Sequence, residues 1–419
     1  MKPLTIMLIA GEASGDQLAG ELTRALRSEL SARRQVYTPD VQPLLTGLAP
    51  RFIGAGGARM KEADVQIAFD LTRHSVIGIS DVLRQYFTFR RLFGQLFDLA
   101  LERLPDVIVG VDYGGFNLRF ARAIRRHVRT QRQAFNNWRP RLVQFVSPQV
   151  WASRSGRAYR MAEDLDLVLS IFPFEKDWYA GRVPRLKVEF VGHPLVDRIR
   201  PQCVRPSTVS NPKIVLLPGS RVRELTRHVP VMIQAFERMR RELPELRGCM
   251  VLPDAALTET AQHIGVPSGI EIRTDGLAEA LTDADVAIAK TGTVTLECAI
   301  CGVPAVTLYK TSWRDYQIGK RIVKVKSLTM PNLLADEMVF PEFIQDEATP
   351  ENIAAAALDL IRNEQRRKHI QSRLTDIVAS LGPPGAIQRA AIAIANLVSE
   401  PLTPPLPGQE RRPFTALAK

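Results

Sequence analysis

Short apolar runs alternate with helix-length amphipathic segments along most of this chain. LTIMLIA, RFIGAG, DVIVGVD, RLVQFVS, LDLVLSI and VEFVG mark the first half, and KIVLLPG, GCMVLPD, ADVAIAK and PAVTLYK the second. Runs of this length without strict alternation suit strands buried on both faces. Strands separated by helical segments build parallel sheets, so the pattern predicts an α/β protein. Periodicity lapses once, in IRPQCVRPSTVSNPK, which is rich in Pro, Ser and Arg. With 419 residues the chain exceeds the ~250–300 at which one core stops growing. Two Rossmann-like domains facing across a cleft are therefore expected, over residues 1–200 and 213–385, with a linker at 201–212. A last helix is expected at 386–400 and a Pro-rich, disordered tail at 401–419. The segment 36–50 reads as a loop insertion.

Composition adds little until charge is considered. Hydrophobic residues make up 45% and charged residues 24%, as in an ordinary globular protein. Lys and Arg number 56 against 44 Asp and Glu, a net charge of +12 that points to a polyanionic partner. Nucleic acid is a poor fit, because aromatics are only 7% and no recognised binding motif occurs. No run reaches the ~18–20 apolar residues of a membrane span, and LTIMLIA is too short for a signal sequence; the reading is cytoplasmic. The four cysteines form no disulfide framework. Cys298 and Cys301 have redox or metal spacing, but they lie in the apolar run ECAICGVPAV and read as core packing.

Ligands of open α/β sheets sit at the carboxyl ends of the strands, so the loops there carry the chemistry. The first, GEASGDQLAG, lacks the Lys of a phosphate-binding P-loop and the third glycine of a dinucleotide fingerprint. It offers Glu12 and Asp16 instead. Asp16 or Ser14 suits a helix N-cap, whereas Glu12 has no capping position and is the better candidate to meet a sugar hydroxyl or a proton. In VGVDYGGFNLRFAR, Asp112 ends an apolar strand beside two glycines and Asn117, a placement fit for a general base or for a helix cap. FVSPQVWASRSGR sets Trp151 beside Arg154 and Arg157.

The second half differs in kind. LLPGSRVREL ends a strand in Gly219, Ser220 and Arg221, and AKTGTVTLE ends another in Thr291, Gly292 and Thr293. Backbone N–H groups at such turns attract phosphate. Glu297 stands one helical turn beyond Thr293, where it can take the two hydroxyls of a ribose. Phosphate-seeking groups thus gather in the C-terminal half and carboxylates in the N-terminal half. That is the layout of a sugar-nucleotide transferase, and no Asp-x-Asp pair stands at a strand end to hold a metal.

AGEASGDQLAG, SVIGISDVL, PDVIVGVDYGGFNLRFAR, VSPQVWASR, FPFEKDWY, FVGHPLVD, LLPGSRVREL, TGTVTLE and MPNLLADEMVFPEFIQDEATPENI occur in order. Over residues 5–375 they closely resemble the lipid-A-disaccharide synthase family. The resemblance implies the two-Rossmann GT-B fold, in which the last helix commonly crosses back onto the first domain. It implies transfer from UDP-2,3-diacylglucosamine to 2,3-diacylglucosamine 1-phosphate, with inversion, no cofactor and no metal, at the anionic surface of the inner membrane. Asp112 or Glu12 would then be the base, with Asp112 favoured and Glu12 orienting the acceptor together with Ser14, Asn117 and Arg154. Arg221, Gly219, Ser220 and the Thr291–Thr293 turn would hold the diphosphate, Glu297 the ribose, and Asn332 and Gln345 would lie on the nucleotide side. The chain departs from the family pattern at Gly114, Ser153 and the Lys290–Thr291 pair. Rivals are a UDP-sugar 2-epimerase or another envelope glycosyltransferase, and more remotely a basic nucleic-acid-binding protein. The stretch 74–104 mixes apolar side chains with arginines and is expected to dock on the bilayer. Oligomeric state, a homodimer included, is not legible.

Overall fold

The computed structural model describes residues 3–35, 49–72, 82–131, 137–199 and 211–400. Most of the 36–50 insertion, the segment 74–81, most of the expected linker and the tail 401–419 lie outside the described residues. Thirteen strands are described, all in parallel sheets. The first sheet contains β1 (Thr5–Ala10), β2 (Arg51–Gly56), β3 (Gln66–Asp70), β4 (Val107–Val111), β5 (Arg141–Phe145), β6 (Leu167–Ser170) and β7 (Val188–Phe190). Their order across it is β3-β2-β1-β4-β5-β6-β7. The second contains β8 (Lys213–Leu217), β9 (Arg247–Val251), β10 (Ile270–Arg273), β11 (Val286–Lys290), β12 (Ala305–Tyr309) and β13 (Glu342–Ile344). Their order is β10-β9-β8-β11-β12-β13.

Each sheet therefore reverses its strand order beside its first strand, at β1/β4 and at β8/β11. Chain connections leave in opposite directions there, and a crevice opens between the loops. Every β1 residue is buried, Ile6, Met7 and Leu8 completely, because helices cover both faces. Met7 and Ile9 belong to one apolar cluster, with Leu92, Leu96 and Phe120, and Ile6 and Leu8 to the other, with Leu22 and Leu26. That double burial explains the continuous apolar run.

The helix Ala386–Ser399 packs on the N-terminal domain, with Ala390, Ala391 and Ile394 in the same cluster as Leu22, Leu26 and Leu30. Alanines let this helix approach the helix Ala13–Gln35 closely, and Arg389 Nε donates to the Val191 carbonyl at 2.8 Å. Cys298 and Cys301 are buried, and burial pushes the Cys301 thiol up to about 11.

Asp16 is a cap, though of a different helix from its own. Its carboxylate is buried and accepts the N–H groups of Gly57, Arg59 and Met60 at 2.7, 2.9 and 3.2 Å. It thereby satisfies the start of the helix Ala58–Glu62 and ties the first strand-end loop to the second. Asp16→Ala leaves three buried donors unsatisfied, at about 1–3 kcal/mol. Urea denaturation monitored on the N-terminal domain should show a loss in that range, and an unchanged midpoint would refute the strut.

Candidate active site

The β1/β4 crevice holds Glu12 and Asp112. Asp112 has φ +50° and Tyr113 φ +44°, so two side-chain-bearing residues in succession adopt the left-handed region. Three hydrogen bonds hold the Asp112 backbone there. Its N–H donates to the Phe145 carbonyl at 2.8 Å, and its own carbonyl accepts from Asn117 Nδ2 and Gln144 Nε2, both at 2.9 Å. Gln144 Nε2 also donates to the carbonyl of Val146, a β-branched residue at φ +67° on the next strand end. Strained backbone of this kind collects at functional sites. Tyr113 turns its ring over Gly11, where a Cβ would lie 2.3 Å from the ring, so only glycine fits.

Burial raises the Asp112 carboxyl above its ordinary range, opposed by the Tyr113 N–H. Burial raises Glu12 as well, the Asp112 charge raises it further, and Arg221 pulls it back. The last effect crosses the cleft: Arg221 belongs to the loop after β8, so the guanidinium of one domain is felt by a carboxylate of the other.

The β8/β11 crevice opens into a cavity of about 450 Å³. Gly219 and Ser220 line one side, Gly292, Thr293 and Glu297 another, and Leu252, Pro253 and Gly276 the far end. Burial raises Glu297, with Arg198 opposing it. Beneath the loop after β8 lies His228, fully buried, with Nδ1 2.7 Å from the Pro218 carbonyl and Nε2 accepting the Lys310 N–H at 3.1 Å.

Not every expected residue reaches a cavity. Glu297, Gly219, Ser220, Gly292 and Thr293 meet around the first cavity, and Ser14 and Asp112 line a second one between the domains. Thr291 is buried behind the turn, with its N–H on the Leu308 carbonyl at 3.1 Å. Asn117 is buried and its Nδ2 donates to backbone carbonyls, including that of Asp112, while its Oδ1 is buried with no hydrogen-bond partner among the described residues. Asn332 and Gln345 line neither cavity. Asn332 donates to the Phe340 carbonyl and to Glu342, and Gln345 makes a pair of hydrogen bonds with the Thr311 backbone at 2.8 and 3.0 Å. Arg154 is exposed and grouped with Arg119, Arg157 and Arg160, whose combined charge with burial lowers Arg157.

Glu224 had no place in the sequence reading. It accepts the Ser220 N–H at 2.9 Å and pairs with Lys290 at 3.1 Å. Burial pushes its carboxyl up, but Lys290, the Ser220 N–H and Arg221 outweigh burial and hold it below the usual range. Its sequence signal is modest: an acid in the first turn of the helix Val222–Glu242, four residues after Ser220. The far end of the cavity, with Leu252, Pro253, Thr274, Asp275 and Gly276, was also missed: Thr274 and Asp275 follow β10, an edge strand with no long apolar run to mark its end.

Comparison with known proteins accords with this geometry. Solved structures with the same fold include MurG from Acinetobacter baumannii, at TM-score 0.54 and 16% identity over 94% of this chain and all of that one. Another is the Staphylococcus aureus MnaA–UDP co-structure, at TM-score 0.56 and 14% identity over 95% of this chain and 98% of that one. The fold is accordingly the GT-B type. Lipid-A-disaccharide synthase of Geobacter sulfurreducens is 32% identical over 407 residues, covering 94% of this chain and 97% of the relative. That of Pseudomonas syringae pv. tomato is 35% identical over 417 residues, covering 96% and 99%. The family model described as lipid-A-disaccharide synthetase matches residues 6–396, and the chain belongs to that family.

Proposed function

We propose that this enzyme transfers the diacylglucosamine unit of UDP-2,3-diacylglucosamine to the 6-hydroxyl of 2,3-diacylglucosamine 1-phosphate. The products are a β-1,6 disaccharide 1-phosphate and UDP. The observation that carries this reading is the opposition of the two crevices, a nucleotide-sized cavity at β8/β11 and paired carboxylates at β1/β4. The electrostatic reach of Arg221 to Glu12 supports their facing one another across a short gap.

UDP would lie in the β8/β11 cavity, with its diphosphate at the Gly292 and Thr293 backbone and Glu297 toward the ribose. Asp112 would accept the proton of the acceptor hydroxyl as that oxygen attacks the anomeric carbon. The bond to the diphosphate breaks on the opposite face, so configuration inverts and no covalent sugar intermediate is required. Arg221 and Lys290 supply positive charge near the leaving diphosphate. Its place favours Asp112 as the base: it stands at the end of β4 on the wall of the interdomain cavity, with its backbone held by three hydrogen bonds. Glu12, half-buried beside it, would orient the acceptor, and Ser14 lies close by on the cavity wall. Asn117 and Gln144 would act through the Asp112 backbone rather than on substrate. Asn332 and Gln345 would support the nucleotide side in the same indirect way.

The substrates carry acyl chains, so the site must work at a lipid surface. No helix among the described residues is long and apolar enough to cross a membrane. In the helix Val82–Arg103, Leu92, Leu96 and Ala100 are buried against the sheet, while Phe87, Arg90 and Arg91 are exposed. Contact with anionic headgroups is better supplied by these arginines together with the crowded set Arg119, Arg154, Arg157 and Arg160, beside the exposed Tyr159.

Incubation with both substrates in the presence of EDTA, followed by mass spectrometry, should show the disaccharide. Release of UDP with no disaccharide would sink the acceptor assignment. Asp112→Asn should lower kcat by about 10²–10⁴-fold with little change in KM, the range for a lost general base. Because folding raises the Asp112 pKa, the base is lost on acidification earlier than for a free Asp at ~3.9. The acid limb of kcat/KM should therefore sit above pH 4, and a limb at or below it would contradict the assignment. Arg154→Glu combined with Arg157→Glu should abolish salt-sensitive flotation on phosphatidylglycerol vesicles; unchanged flotation removes this patch from the membrane contact.

A further inference from the structure

The second cavity, of about 570 Å³, lies between the domains and is continuous with the catalytic cleft, since Asp112 and Thr293 both line it. Its character is unlike that of the nucleotide cavity. Leu296, Met330 and Leu333 line it from the C-terminal domain, and Val146, Trp151, Phe172 and Leu195 from the N-terminal one. Several of these side chains are only partly buried, although an apolar side chain gains most when fully covered.

Polar groups interrupt the apolar lining at Ser14, Asp112, Ser147 and Gln149, and at His193. His193 is 5% exposed and lines the cavity. Its Nδ1 accepts the Leu195 N–H at 3.2 Å, which places the ring proton on Nε2. No described residue supplies an acceptor for that proton. Burial holds the ring neutral, with its pKa pushed down to about 4, and Arg198 adds to the effect. A neutral N–H in an apolar cavity suits an uncharged carbonyl; a phosphate would call for a cation. Arg198 also lines the cavity, but it is engaged by Glu21 at 2.9 Å.

We propose that this cavity receives an acyl chain of the UDP-sugar donor, with His193 Nε2–H donating to the ester or amide carbonyl at the root of the chain. The donor is chosen over the acceptor because the apolar lining from the C-terminal domain begins beside Thr293, at the turn proposed to hold the diphosphate. The inference rests on the proposed reaction for the identity of the donor. It makes His193 a specificity-determining residue with no part in proton transfer.

Titration calorimetry in mixed micelles separates these ideas, with UDP and UDP-diacylglucosamines of decreasing chain length as probes. Donor affinity should fall about fourfold per methylene removed, the equivalent of ~0.8 kcal/mol. Leu333→Trp, which fills the cavity, should flatten that dependence and leave UDP affinity within twofold of wild type. His193→Ala should weaken acylated donor about tenfold, raise KM more than it lowers kcat, and leave UDP binding alone. The proposal is overturned if donor chain length has no effect, if Leu333→Trp keeps the wild-type dependence, or if only acceptor chain length matters. Chain-dependent donor binding in an enzyme that forms no disaccharide would support the cavity and overturn the reaction instead.

Discussion

The site depends on holding a carboxylate where water would otherwise keep it ionised and mobile. Asp112 is placed at a strand end with its backbone in the left-handed region, and that conformation costs about 1–3 kcal/mol for a residue with a side chain. The surrounding hydrogen bonds over-determine it. Asn117 and Gln144 both donate to its carbonyl, and the Phe145 carbonyl takes its N–H. Neither amide side chain touches a cavity. They fix the direction in which the carboxylate leaves the sheet, and burial then sets its proton affinity. In the proposed reaction a base held this way would need no cation beside it, which would leave Arg221 for the leaving group.

The two halves of the molecule solve opposite electrostatic problems with one topology. Both sheets reverse at the strand next to the first, and both loops there bring backbone close to the ligand. In the N-terminal domain the crevice is stocked with acids and starved of donors, because Asp16 takes the N–H groups at the start of the neighbouring helix. In the C-terminal domain Glu224 already occupies the Ser220 N–H and the Lys290 amine. Their positive potential is thus partly neutralised before any diphosphate arrives. In the proposed reaction the diphosphate would compete with this internal carboxylate, which would temper nucleotide affinity and favour release of UDP after transfer.

Legibility followed burial. Nine of the ten strands read from the sequence lie inside the sheets; the tenth, β7, is a three-residue edge strand, VEF, followed by the buried Val191. The three missed, β3, β10 and β13, are all edge strands, partly exposed and spelled QIAFD, IEIR and EFI. An edge strand buries one side and reads as a mixed segment. Among site residues the same rule holds in reverse. Charged groups set at the end of an apolar run, such as Glu12, Asp112 and Arg221, stood out by contrast. Asn332, Gln345 and Asn117 carried polar signals that the structure spends on backbone carbonyls. Sequence cannot separate an amide that faces a ligand from one that braces a loop, since both are buried polar groups demanding partners. Asp16 shows the same ambiguity between near and distant caps.

Communication between the halves has a definite seat. The chain returns to the N-terminal domain after residue 380, and this second passage touches the segment that follows β7. The His193 N–H donates to the Leu381 carbonyl at 2.9 Å, and Gly192 and Gly382, both at φ +87°, lie in contact beside that bond. A Cβ on Gly382 would lie 3.4 Å from the Gly192 Cα, and the backbone conformation itself favours glycine at both positions. The helix Ala386–Ser399 then carries the second passage back against the helix Ala13–Gln35, which begins with the loop of Glu12 and Ser14. The acid wall is therefore braced by a helix that follows the whole C-terminal domain in the chain, so the N-terminal core is completed only when the chain returns to it.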